Sequence, residues 1–445
     1  MQKQLLTSIF IVTLGFINAQ HLQVNGAQLE DGSGNTIVLR GVNYPIIDDY
    51  NVQLNNYADV EHKIDQVALT GANCIRFPWY LNGTHYKDLM NPVQNPGYGA
   101  GTLEGYVNNG HLSHLLAYTF QQGMIPILEI HNLSGSDNYT SFQNDVVAGF
   151  WTDPAVLQVI DENKAYLIIN LANEFGDVVG TANPTASLNT FKTNYITAIS
   201  TIRTAGVDVP IMVDAPDWGQ TSSELVNVAN DIALGDPLSN TMFSVHAYWD
   251  EYANTQPAIA TKLTEMVNSN RCFILGEVAN TQAGPPTYSC GELDIHYLYP
   301  MVLEEACLRS LGWMAWSYDQ DCDPTRELTT NGEFSNLTAW GDDFVNNANY
   351  GLKATNGCGA SPITLNLHEN AENELTVSPN PANNWIQVGE EVQSIELISL
   401  QGNVALKLST LENKTLSLNA VSNGFYLIRL IGFNRIETKL LTILK

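Results

Sequence analysis

The sequence predicts a (β/α)8 barrel followed by a small all-β, sandwich-like domain. Three observations carry that expectation. Short apolar runs recur along most of the 445-residue chain, with helix-length amphipathic stretches between them. Several runs are apolar on consecutive residues rather than alternating, the pattern of parallel strands buried on both faces. From residue 354 onward the texture changes to short alternating strands punctuated by turn residues.

The runs, in order, are "TIVLRGVN" (36–43), "NCIRFPW" (73–79), "MIPILEIH" (124–131), "AYLIINLANE" (165–174), "VPIMVDA" (209–215), "TMFSVHAY" (241–248), "CFILGEV" (272–278) and "GWMAWSY" (312–318). Stretches 57–70, 188–205 and 258–269 have helical spacing. Eight such units over about 330 residues exceed the ~250 usual for this architecture, which loop insertions explain. A doubly wound open sheet would carry a Gly-rich phosphate turn after its first strand, and none is present.

The two ends of the chain read differently. Residues 1–19 read as a signal peptide: Lys3 supplies the positive start, residues 5–16 the apolar stretch and Ile17-Asn18-Ala19 a small-residue cleavage site. The barrel is expected over 20–353, a linker over 354–372 and a β-rich module over 373–445. No later segment reaches the roughly 18 to 20 uninterrupted apolar residues of a spanning helix.

Nineteen basic against forty-six acidic residues leave a formal net charge of −27. Such a surface repels phosphate backbones and anionic membranes, so nucleic acid is excluded as a partner. A low charged fraction of 15% suits an exported protein that handles neutral polar ligands such as sugars. Of the six cysteines, Cys74 and Cys272 sit in apolar runs and read as buried thiols, whereas Cys290, Cys307, Cys322 and Cys358 lie near loops and are the disulfide candidates. No cysteine pair has zinc-ligand spacing, and no metal or cofactor is expected. Asp319, Asp321 and Asp323 lack the pattern of a calcium loop and read as solvated acids.

Active sites of such barrels assemble at the C-terminal ends of the strands. The polar residues there are Arg40 and Asn43, Arg76, Glu129 and His131, Asn173 and Glu174, Asp214, His246 and Tyr248, Glu277 and Trp316. Glu174 and Glu277 both terminate apolar runs, and they lie on opposite sides of the barrel in strand order. A carboxylate is costly to bury unless something uses or pairs it. Two that face each other across a barrel mouth match glycoside hydrolysis, in which one protonates the leaving oxygen while the other attacks or activates water. Their separation sets the stereochemistry: about 5–5.5 Å for retention, about 6.5–9.5 Å for inversion. Trp79, Trp218 and Trp249 follow strand ends and read either as sugar-stacking platforms or as core aromatics.

The set "LRGVNY", "NCIRFPW", "LEIHN", "LANE", "SVHAYW", "LGEV" and "MAWSY" closely resembles, in order and spacing over 21–353, the retaining family 5 glycoside hydrolases of clan A. The resemblance implies Glu174 as acid/base and Glu277 as nucleophile, with Arg76 and Tyr248 beside the nucleophile. It also implies Asn173 on the sugar 2-hydroxyl, and His131, His246 and Trp316 lining the cleaved subsite. Arg76 and the Tyr248 hydroxyl are expected to hold the Glu277 pKa down. "IMVDAPDWGQ", which carries Trp218, and "NTMFSVHAYWDEYAN" look most like the bacterial β-1,4-mannanase branch. "NEFGD" and "GEVAN" depart from that branch, which leaves cellulose, mixed-linkage glucan and glucomannan open beside mannan.

The tail, with "SPNPANN", "GFYLIRL" and "ETKLLTILK", resembles a type IX secretion sorting domain, which implies passage across an outer membrane by that machinery to a secreted or cell-surface location. The expectation is therefore a secreted retaining endo-β-1,4-glycanase, a mannanase first and an endoglucanase second. A non-catalytic polysaccharide-binding protein and an exo-acting enzyme, its cleft blocked by loops at 81–103 or 288–296, are the rivals.

Overall fold

The computed structural model describes residues 21–46, 57–81, 107, 110–284, 289–363, 375–389, 392–399, 404–408, 414–431 and 436–445. The expected signal peptide and nearly all of the 81–103 loop lie outside these residues. Within them, eight parallel strands close into a barrel in chain order: β1 (Arg40–Asn43), β2 (Cys74–Trp79), β3 (Ile125–Ile130), β4 (Ile168–Asn170), β5 (Ile211–Asp214), β6 (Thr241–His246), β7 (Phe273–Val278) and β8 (Gly312–Ala315). Closure comes from β8 pairing back onto β1, with Trp313 opposite Arg40. Every residue of β2, β3, β6 and β7 is buried, as strands covered on both faces require.

Among the described residues a helix of at least two turns follows each strand: α1 (Tyr57–Ala68), α2 (His111–Gln121), α3 (Pro154–Asn163), α4 (Pro184–Thr204), α5 (Ser222–Gly235), α6 (Gln256–Asn268), α7 (Tyr299–Leu308) and α8 (Ala339–Asn346). Local chemistry starts several of them. Asp153 and Asn183 accept hydrogen bonds from the first turns of α3 and α4, each just before a proline whose missing N–H costs nothing there. Between β3 and α3 a wide, π-type helix (Phe142–Trp151) packs Phe142 on Phe175 at 4.6 Å, and Trp151 Nε1 donates to the Leu171 carbonyl. The loop that carries Glu174 is held from below by these aromatics.

Two expected boundaries are corrected. The run 36–43 is not one strand: Thr36–Ile37 joins Gln23–Asn25 and Gln28–Glu30 in a separate antiparallel sheet, and the barrel strand begins only at Arg40. The cause is the open base of the barrel. Leu22, Val24, Leu29 and Leu39 pack there against Ile125, Ile168, Met212, Met242 and Met314, so part of the run serves as a plug. Residues 354–363, expected to begin a linker, instead pack on the barrel. Arg40 Nη1 donates to the carbonyls of Gly357 and Gly359, and Cys358 is disulfide-bonded to Cys307. The second disulfide joins Cys290 and Cys322, whereas Cys74 and Cys272 are buried free thiols.

The chain divides into two compact units, 1–365 and 366–445. The second holds a three-stranded and a four-stranded antiparallel sheet around one core. In Gly424–Ile431 the alternation is strict: Tyr426, Ile428 and Leu430 point inward against Ile395, Leu397 and Leu441. Among the described residues, no helix is long and apolar enough to cross a membrane.

Candidate active site

At the C-terminal ends of the strands lies a cavity of about 640 Å3, lined by His131, Asn173, Glu174, Trp218, Tyr248, Glu277 and Trp316 among others. Arg76 and His246, also expected at the site, lie fully buried beneath its floor. All nine residues singled out in the sequence are thus brought together.

Glu277 is aimed by an irregularity in its own strand. The ladders on both sides of β7 shift register after Leu275. Arg76 Nη1 donates to Oε1 of Glu277 at 2.9 Å, and the Tyr248 hydroxyl donates to Oε2 at 2.8 Å. Glu174, just past β4, has φ +48, a left-handed conformation unusual for any residue but glycine. Its Oε1 lies 2.8 Å from Nδ1 of His246, which is 3.4 Å from Oε2 of Glu277. One ligand atom from each of Glu174, His246 and Glu277 falls within 4.8 Å of the others. The imidazole is clamped: a Cβ on Gly219 would come within 2.6 Å of its Cγ, and one on Gly276 within 3.2 Å of its Nε2. Those two glycines, in "DWGQ" and "LGEV", leave room for the ring where any side chain would crowd it.

The electrostatics correct one expectation. Burial raises the Glu277 pKa; His246, Arg76 and His131 pull it down and Glu174 pushes it up, and the net direction is upward. Arg76 and Tyr248 orient the carboxylate, and burial in a shared site outweighs the guanidinium's pull on its proton. Burial alone would lower the His246 pKa, but the carboxylates of Glu277, Asp214 and Glu174 raise it to about 9.

Supporting residues complete the frame. Asn173 accepts from Arg76 Nη2 at 2.7 Å through Oδ1 and donates to Ser134 at 2.8 Å. His131 stacks on Trp316 with centroids 5.4 Å apart, its Nδ1 3.0 Å from the buried Glu129. Of the three candidate platforms, Trp79 and Trp249 are buried and Trp218 is 56% exposed on the cavity wall. The hairpin of Thr281–Gly284 and Ser289–Asp294 forms the opposite wall, tied by the Cys290–Cys322 disulfide. Two acids of the "DQDCD" loop are not solvated: Asp321 is buried and pairs with Arg326 through Nε at 2.6 Å and Nη2 at 2.9 Å, and Asp319 is buried as well, whereas Asp323 stays partly exposed.

Asn170, Ser134, Tyr80, Gln282 and Arg326 are site residues that the sequence reading did not name. Asn170 and Arg76 are paired at 2.9 Å across 94 positions, so no local pattern reports it.

Residues 30–321 match the model of the cellulase family, glycosyl hydrolase family 5. The chain belongs to glycosyl hydrolase family 5. Residues 376–443 match the secretion system C-terminal sorting domain. The chain is 25% identical over 351 residues to a mannan endo-1,4-beta-mannosidase of Salipaludibacillus agaradhaerens, covering 78% of this chain and 96% of that one. It is 28% identical over 305 residues to the beta-mannanase/endoglucanase A of Caldicellulosiruptor saccharolyticus, covering 64% and 21%. The barrel architecture is shared with the catalytic domain of a mannanase from Streptomyces sp. SirexAA-E, at 22% identity and a TM-score of 0.59, over 81% of this chain and 98% of that one. As a family 5 member the protein is a glycoside hydrolase.

Proposed function

We propose that this family 5 hydrolase is an exported, retaining endo-β-1,4-mannanase with Glu174 as acid/base and Glu277 as nucleophile. The observation that carries the retaining assignment is the approach of the two carboxylates, which with His246 present atoms within 4.8 Å of one another. That is nearer the spacing for direct attack than the gap an inverting enzyme keeps for water. In the first step a Glu277 oxygen bonds to the anomeric carbon, the C1–O bond breaks, and Glu174 gives its proton to the leaving oxygen. In the second, Glu174 takes a proton from water, the hydroxyl bonds to C1 and Glu277 is released. Arg76 and Tyr248 hold the attacking carboxylate in one orientation through both steps.

Mannan as substrate is supported by the relatives named for it and by the segment "VDAPDWGQ", whose Trp218 stands on the cavity wall. Glucan is the second reading, favoured by the relative that carries both names. The sorting domain supports delivery across an outer membrane, with residues 1–19 as the signal for the inner one.

The test compares initial rates of reducing-end release on mannan, glucomannan and carboxymethyl-cellulose, using the chain from residue 20. Mannan is expected to be preferred at least tenfold over the cellulose derivative, about 1.4 kcal/mol at the transition state. The reverse order makes it a glucanase, and no release from any polymer overturns the endo-glycanase reading. Azide added to Glu277→Ala should yield an α-glycosyl azide and added to Glu174→Ala a β-glycosyl azide. The opposite pairing would exchange the two roles.

A further inference from the structure

Asp214 bonds to the frame beneath the site without lining the cavity. It is the last residue of β5 and fully buried. Its Oδ2 accepts from Arg76 Nη2 at 3.2 Å and from the backbone N–H of Glu174 at 3.2 Å, and lies 3.6 Å from Nε2 of His246. Its Oδ1 accepts from Asn170 Nδ2 at 3.0 Å. One carboxylate therefore joins the guanidinium behind the nucleophile, the main chain of the acid/base and the imidazole between them.

We infer that Asp214 is a positioning residue that fixes the left-handed backbone of Glu174 and holds the charged ring of His246 against its side chain. The inference rests on the proposed roles of Glu174 and Glu277. Two independent geometries support it. A non-glycine residue at φ +48 persists only where its surroundings over-determine it, and the Glu174 N–H is held by Asp214 while its carbonyl accepts from Gly135 N at 3.0 Å. Second, the His246 ring lies between Gly219 and Gly276, with Nδ1 facing Glu174 and Nε2 facing Asp214. The buried Nε2 has no hydrogen bond, and the Asp214 carboxylate faces it at 3.6 Å.

The other charged or titratable groups around this line are Arg76 on β2, Glu129 and His131 around the end of β3, Tyr195 on α4, Tyr248 after β6 and Glu277 on β7. Arg76 already has Glu277 and Glu129 near it. A negative charge at Asp214 favours the imidazolium. Nδ1 of that ring lies 2.8 Å from Oε1 of Glu174, so the ring charge that Asp214 sustains sits directly against the acid/base side chain.

The test is the pH dependence of kcat/KM for Asp214→Asn, which keeps the side chain's shape and removes its charge. The alkaline limb is expected to move down by about one pH unit or more. Loss of Glu174 alignment is expected to lower kcat by roughly 10- to 100-fold while KM stays within about threefold. Asp214→Glu, which keeps the charge, should lose kcat and retain the alkaline limb. A lowered kcat with an unmoved limb in Asp214→Asn would reduce Asp214 to packing and overturn the inference. Glu174→Gln and Glu277→Ala are measured alongside. If either keeps the wild-type rate, the proposed pair itself fails; if both are inactive and the Asp214→Asn limb stays put, only the inference about Asp214 fails. Should Asp214→Asn not give a cooperative melt, 15N-histidine spectra of the unaltered protein decide. An imidazolium at His246 near neutral pH is expected, and a neutral ring there overturns the inference.

Discussion

Arg76 donates from Nη1 to Oε1 of Glu277 across 2.9 Å, with both side chains closed off from bulk water. The same guanidinium bonds Asn43, Asn170, Asn173 and Asp214, so a fork of donors fixes the Glu277 carboxylate relative to the ends of three other strands. Arg76→Lys keeps a charge but not the fork, and we expect kcat to fall by about 100-fold. Arg76→Met leaves buried carboxylates unpaired and is expected to cost about 3–5 kcal/mol in urea unfolding. A variant with native stability and rate would show that the network is dispensable.

The raised His246 pKa also predicts a stability profile. Its value of about 9 in the fold exceeds the ordinary 6.5, so the folded state binds this proton more tightly than the unfolded chain. The resulting stabilisation is full below about pH 6.5 and is lost as the pH rises through about 9. Melting temperatures of the unaltered protein should fall across that window more steeply than those of His246→Gln. Parallel slopes would contradict a charged imidazole in the fold.

Trp218 and Gly135 make a matched pair. A Cβ on Gly135 would lie 2.3 Å from the indole, and the residue sits at φ +66, so only glycine lets the ring lie where it does. Trp218→Ala should leave the melting temperature nearly unchanged because the ring is 56% exposed. It should lower kcat/KM on polymer roughly fivefold, the loss of about 1 kcal/mol of stacking. Gly135→Ala should lower it comparably by displacing the ring. Unaltered kinetics in both would remove Trp218 from the substrate path.

The cysteines predict a thiol count. Burial pushes the Cys272 thiol up to about 12 and raises that of Cys74 as well. An aromatic disulfide reagent should therefore find no reactive thiol in the native protein and two after unfolding without reductant. Replacing Cys290 and Cys322 together by serine opens a loop of sequence separation 32. The expected cost is about 3–4 kcal/mol on the chain-entropy model, with a rise in KM because Cys290 lines the cavity.

Much of this site was legible because a buried strand that stops on a polar side chain is a local signal. "LANE" and "LGEV" each carry a costly carboxylate at the end of an apolar run, and the eightfold repetition of such runs places their ends on one rim. The same logic found Asp214 and Glu129 as strand ends but could assign them nothing. Their roles depend on partners far away in the chain, such as Arg76 for Asp214 at a separation of 138. It also misread Asp321, whose acidic loop looks solvated until Arg326 is seen folded over it.

The sequence by itself determined the repeated strand-and-helix order, the placing of Glu174 and Glu277 at strand ends, the loop cysteines as the disulfide candidates and the change to an alternating β module after the barrel. Those follow from burial period and residue type, which act over a few neighbours. Tertiary structure decided the division of residues 36–43 between plug and barrel, the clamping of His246 between Gly219 and Gly276, and the upward shift of the Glu277 pKa. Each of these is set by atoms brought together from separate strands, where burial and the sum of nearby charges act over ångströms of space rather than positions of sequence.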